Sequence, residues 1–262
     1  MTPLVQIDQI YFKREDTNIT GSAKDRAIPL IIDEIVKNNF KEAVISSTGN
    51  AAISAQYYCD ISNIKLTIFV SKKIDPNKLK LLKNPILSNK PISDAFKYAK
   101  QNSAYLIRIS TDSEAEKGYQ RIGEEIQNQL PQVTSIFVPT GSGATIFGIY
   151  KSIPGNINLI AVQPASHCPI ASHYDKDYIP ELETITDALG AKLLPLKEIV
   201  WDTVNSGAVV QNNDVIKAQK FLEKNNIITS AEGALALTGY FKYKNYLISG
   251  DYPVILLTGA KR

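Results

Sequence analysis

The chain has 262 residues, 44% hydrophobic and 21% charged, which supports a packed core and excludes wholesale disorder. Its 29 Lys and Arg against 26 Asp and Glu leave a net charge of +3, with no basic run longer than a pair such as Lys72-Lys73; this argues against a nucleic-acid partner. Two cysteines, Cys59 and Cys168, cannot form a disulfide framework, no stretch approaches ~18 uninterrupted apolar residues, and the first residues lack a signal-peptide pattern, so a cytoplasmic protein with no membrane partner is expected.

In chain order, an apolar helix is expected after Lys24, with Pro29 kinking it or delaying its regular part. Strand 43–46 runs into a helix after Asn50 whose end packs Cys59, and strand 65–71 follows. Segment 72–91 is Lys/Asn-rich and broken by three prolines; it reads as a trimmed connection whose lysines form a solvated face. After strand 104–109 comes the clearest helix, 114–130, with a capping box of Ser113 and Glu116 and an apolar stripe of Tyr119, Ile122, Ile126 and Leu130. Strands 134–138 and 157–162 precede an irregular stretch, 163–195, with four prolines. There His167, Cys168 and His173 lack metal-ligand spacing, so no metal is expected; Trp201 is assigned to the core. Helix 214–225, capped by Asn213 or Asp214, and strand 253–258 complete the pattern. This alternation predicts an α/β fold with mostly parallel sheets, in which ligands sit at the carboxyl ends of strands.

Three strand–turn–helix junctions are candidate sites. Thr20-Gly21-Ser22-Ala23-Lys24 places a lysine at a helix start, where the dipole lowers its pKa and favours a nucleophilic amine. Ser47-Thr48-Gly49-Asn50-Ala51 offers hydroxyls and N–H groups to a carboxylate or phosphate. Gly141-Ser142-Gly143-Ala144-Thr145 offers converging N–H groups, yet it lacks the ending of a P-loop and the spacing of a dinucleotide fingerprint.

These motifs, in this order, resemble the pyridoxal-phosphate enzymes of the tryptophan-synthase β/threonine-synthase family, fold type II. Ala231-Glu232-Gly233-Ala234 and Leu257-Thr258-Gly259 extend the resemblance across the chain, which is short for the family. It implies two α/β units with the cofactor in the cleft between them. The larger comprises 1–39 and 108–262; the smaller, inserted unit is 40–107. It further implies that Lys24 holds pyridoxal 5'-phosphate covalently. Asn50 would bond the ring's 3′ oxygen, and Gly141, Ser142, Gly143, Ala144 and Thr145 the phosphate. Thr258 would meet the pyridine nitrogen, while Ser47, Thr48, Gly49 and Ala51 would line the substrate-carboxylate subsite. A hydroxyl facing the ring nitrogen does not force its protonation, which suits elimination or replacement at the β or γ carbon better than transamination.

The threonine-synthase branch resembles the chain most closely, and a small amino acid is the implied substrate. Three departures stand out: Ala51 follows the asparagine in place of threonine, Ala23 precedes the lysine, and Ser113–Lys117 reads SEAEK without the arginine that holds a substrate phosphate. Cysteine-synthase or dehydratase activity, and a cofactor- or amino-acid-binding protein without turnover, are the alternatives. A homodimer is compatible with this reading.

Overall fold

A computed structural model describes residues 1–47, 49–186, 197–248 and 250–262. The N-terminal stretch forms β1 (Leu4–Ile7), β2 (Ile10–Arg14) and α1 (Lys24–Lys37). The next part alternates β3 (Glu42–Ser46), α2 (Asn50–Ile61), β4 (Lys65–Ser71), α3 (Pro76–Lys80), β5 (Ile86–Ser88), α4 (Pro91–Asn102) and β6 (Tyr105–Ile107). There follow α5 (Ser113–Gln129), β7 (Ser135–Pro139), α6 (Ala144–Tyr150), β8 (Asn158–Pro164) and α7 (Lys197–Thr203). The last elements are β9 (Ser206–Val210), α8 (Asn212–Lys224), α9 (Ala231–Tyr243) and β10 (Pro253–Leu257).

The strands form two sheets: one of six, ordered β1-β2-β10-β7-β8-β9, and one of four, ordered β5-β4-β3-β6. Every pairing is parallel except the hairpin of β1 with β2. The fold is thus α/β with mostly parallel sheets. β10 is buried along its whole length between β2 and β7, as expected of a strand covered on both faces. The fully buried residues Ile28, Ile31, Ile32 and Ile35 of α1 belong to a core cluster that also takes in Ala43 and Ile45 of the small sheet and Ile136 and Val138 of the large one.

Several local expectations need correction. Helix α5 is capped by Asp112, whose carboxylate accepts the Glu114 N–H at 2.9 Å, and Ser113 is already helical. A carboxylate at this end complements the helix dipole as well as a capping box does. Helix α8 begins before Asn213, because the remote Glu181 carboxylate accepts the Asn212 N–H at 3.1 Å and so replaces a local cap. Segment 72–91 is more than a connection, since it supplies α3 and the edge strand β5. Lys72, Lys73, Lys80, Lys83 and Lys90 are exposed as expected, but Lys78 is buried and paired with Glu232 at 3.2 Å. Trp201, by contrast, packs against the main core as expected, half-buried and stacked on His173 with ring centroids 4.7 Å apart. Pro29 lies inside an unbroken α1 as its sixth residue, past the first turn, where its missing N–H leaves the Asp25 carbonyl without the usual intrahelical donor. Cys59 is buried near the end of α2, and burial followed by the Asp60 charge pushes its thiol up to about 12.

Candidate active site

The carboxyl ends of β3, β7 and β10 and the start of α1 converge on a cavity of about 180 Å³. It is lined by Lys24, Ser47, Asn50, Ala51, the whole loop Gly141–Thr145, and Thr258. Gly49 lies beside it as the N-cap of α2, and its N–H donates to Ser47 Oγ at 3.2 Å. Its φ of +146° is a conformation that L side chains rarely adopt. Thr48 lies outside the described residues.

Each lining residue is set by an ordinary structural rule. Gly143 caps α6 at φ +91°, a left-handed turn that suits glycine. No N–H of Gly141, Ser142 or Gly143 donates a hydrogen bond within the protein among the described residues. The side-chain oxygen of Asn50 is likewise buried without a protein partner. A group with acceptors for the loop and a polar edge for Asn50 would satisfy both. Ala23, just before Lys24, is held by its N–H to the Thr258 carbonyl at 3.0 Å, and the Thr258 hydroxyl reaches the Glu232 carbonyl at 3.4 Å.

Behind Lys24 lies an ionic network that fixes α1 against α5. Arg26 binds Glu15 at 2.8 Å and Glu125 at 2.6 Å, while buried Lys13 takes Glu125 from the other side at 2.6 Å. Burial alone would raise the Glu125 carboxyl, but hydrogen bonds from Arg26 and Lys13 prevail and bring it down to about 2. Burial lowers Lys13, and Glu125 opposes that shift.

Three further side chains lie at or beside the site. Glu232, at the start of α9, lines the cavity. Lys78 reaches Glu232 from α3, its stem packed over Gly49. Tyr119, expected only as a member of an apolar stripe, accepts a hydrogen bond from Lys24 Nζ at 3.2 Å. Glu232 falls within a motif that carries the family resemblance; a charged residue in a polar segment and a hydroxyl on an apolar stripe give no such signal.

A family model described as pyridoxal-phosphate dependent enzyme matches residues 1–259. The chain belongs to that family. Its cofactor is pyridoxal phosphate, and the orphaned Asn50 oxygen and open N–H groups of the glycine loop fit it. Among curated members, L-threonine ammonia-lyase of Geobacter sulfurreducens is 25% identical over 270 residues, covering 95% of this chain and 67% of that protein. The L-threonine dehydratase catabolic TdcB of Staphylococcus aureus is 26% identical over 271 residues, covering 96% of this chain and 78% of its own length. Of solved structures, maize serine racemase superposes with a TM-score of 0.88 at 21% identity, over 100% of this chain and 88% of that one. Members of the family thus share this chain's fold across its full length.

Proposed function

We propose that this chain catalyses β-elimination from a small β-hydroxy amino acid, a dehydratase-type reaction. The observation that carries the reading is the charge inventory of the cavity. Among the described lining residues Lys24 is the one cation, and the one carboxylate, Glu232, is paired with Lys78. Three cations on neighbouring elements make other contacts. Lys13 and Arg26 serve Glu125 and Glu15, and Arg108 lies over the Phe96 ring at 5.2 Å. The cavity therefore suits a substrate with a small, uncharged side chain, as the printed names of the curated relatives also suggest.

When bound, pyridoxal phosphate supplies an electron sink for the pair left at Cα as its proton departs. Lys24 would hold the cofactor covalently; as a free amine its Nζ would take the Cα proton and return it to the β-hydroxyl, which leaves as water. The Gly141–Thr145 loop holds the phosphate through backbone N–H groups, and Asn50 fixes the ring edge. Ser47, Thr48, Gly49 and the N–H groups opening α2 orient the substrate carboxylate, with the small Ala51 leaving room beside them. The Thr258 hydroxyl would serve the ring nitrogen as a neutral partner that does not force its protonation. The unit 40–107 closes on the unit formed by 1–39 and 108–262 and so excludes water.

A second reading, replacement of threonine-synthase type, rests on the ordered motif resemblance and demands a phosphate subsite. One panel separates the two: serine, threonine, O-acetylserine and O-phosphohomoserine. Release of a 2-oxo acid from serine or threonine is the expected result. Threonine formation from O-phosphohomoserine with a kcat/KM of ~10⁴ M⁻¹s⁻¹ or above would establish the second reading instead. Borohydride should fix the cofactor to the Lys24 peptide, and label on another lysine would overturn the assignment of the site.

A further inference from the structure

We propose that Tyr119 is the positioning residue for Lys24: its buried hydroxyl receives the lysine amine whenever that amine is not bonded to the cofactor. The inference rests on the role given to Lys24 above and adds to it the group that keeps the released base in place.

Tyr119 is the largest fully buried side chain among the described residues. Phenylalanine would fill the same space without burying a hydroxyl, and buried phenols generally need a polar partner. Here that partner is Lys24, whose Nζ lies 3.2 Å from Tyr119 Oη and 5.6 Å from the ring centroid. No other hydrogen bond of either side chain occurs among the described residues.

The contact is built by close helix packing. A Cβ on Gly118 would lie 2.0 Å from the Arg26 carbonyl, so glycine lets α5 press on α1 just beyond Lys24. A Cβ on Gly148 would lie 2.4 Å from Tyr119 Cβ, so a second glycine lets α6 close on the tyrosine from the other side. Both glycines thus serve the placement of one side chain beneath the lysine.

Chemistry explains why a hydroxyl suits the position. A phenol both donates and accepts, so it can accept from an ammonium or donate to a neutral amine. A carboxylate only accepts, and would pin the lysine in its charged form. The carboxylates nearby are all committed. Asp25 accepts the Thr20 N–H and the Ser54 hydroxyl, each at 2.6 Å. Glu125 holds Arg26 and Lys13, and Glu232 is paired with Lys78. Lys24 makes no ion pair among the described residues, and a base that gains and loses a proton in each turnover keeps a partner for both states.

The test begins without cofactor or substrate. Cofactor-free wild-type protein and Tyr119→Phe are treated with acetic anhydride at one fixed pH, and acetylation is followed by peptide mass spectrometry. Lys83, 69% exposed, is the internal reference. Loss of the hydroxyl removes the Lys24 amine's hydrogen-bond partner, so Lys24 should label several-fold faster in Tyr119→Phe while Lys83 is unchanged. With the loaded enzyme, kcat should fall at least tenfold at constant KM, and a Cα-deuterated substrate should show a larger isotope effect. If Tyr119→Phe does not fold, 3-fluorotyrosine at position 119 keeps the shape, and Lys24 labelling should still shift. Equal labelling of Lys24 with and without the native hydroxyl overturns the proposal. Altered labelling in a protein inactive on serine and threonine supports it and overturns only the substrate reading.

Discussion

The Thr258 carbonyl accepts the N–H of Ala23 at 3.0 Å, so the end of β10 is hydrogen-bonded to the residue preceding Lys24. The Ala260 N–H donates in turn to the Gly21 carbonyl at 2.9 Å, making a short antiparallel clasp between the first junction and the last. Lys24 and the Thr258 hydroxyl therefore enter the cavity from two segments that cannot shift independently.

Because the clasp uses main-chain atoms, side-chain changes at Thr258 should leave it intact. Thr258→Asp should increase protonation of the ring nitrogen and change the partitioning of products, visible in the absorbance spectrum of the loaded protein. Thr258→Val should mainly weaken cofactor binding in equilibrium titration. Unchanged spectra and affinity in both variants would remove Thr258 from the site.

Gly118→Ala should destabilise the protein by about 3 kcal/mol, since its Cβ would meet main chain at 2.0 Å and must push α5 from α1. Gly155→Ala, where a Cβ meets nothing within 4 Å, should change stability by less than about 0.5 kcal/mol. Urea denaturation of the two variants makes the comparison.

Acid sensitivity should trace to Glu125. Its folded pKa, about 2, lies below the ordinary value of 4.5, so the native state binds fewer protons than the unfolded chain between those values. The contribution, about 3 kcal/mol, is complete above pH 4.5 and is lost as pH falls through about 2. Glu125→Gln should lower Tm at pH 7 and flatten its decline across this window. A parallel decline in both proteins would show that other groups control acid unfolding.

Much of this architecture was legible because buried parallel strands are continuous apolar runs. β3, β4, β7, β8 and β10 announce themselves in that way. β2, with Lys13 and Arg14 inside it, does not, because Lys13 is buried by ion pairing rather than by apolarity. β9 begins with Ser206 and Gly207, and Gly207 is needed where Ala171 approaches within 2.6 Å of its would-be Cβ. At the site, Lys24, Asn50 and the glycine loop are legible as junctions that open helices, while Thr258, after the last strand, is legible only through the resemblance. Tyr119 and Lys78 reach the site from elements whose local sequence speaks only of packing or solvation.

Lys78→Met should cost about 3 kcal/mol by removing the cation beside buried Glu232. Adding Glu232→Gln should recover part of that loss, a non-additivity measurable in a double-mutant cycle. Strict additivity would mean that the two charges do not act as a pair.

The central place of β10 also dictates an order of assembly. It lies between β2 and β7, with Val254 in register with both Tyr11 and Ile136. Until that strand has been synthesised, two long-range pairings of the large sheet cannot form, and β2 and β7 face an open gap. A nascent chain can pair β3 with β4 and begin helices early. The clasp at Ala23 must wait for Thr258, so competence to hold a cofactor arrives with β10 and the residues just after it and not with Lys24 itself.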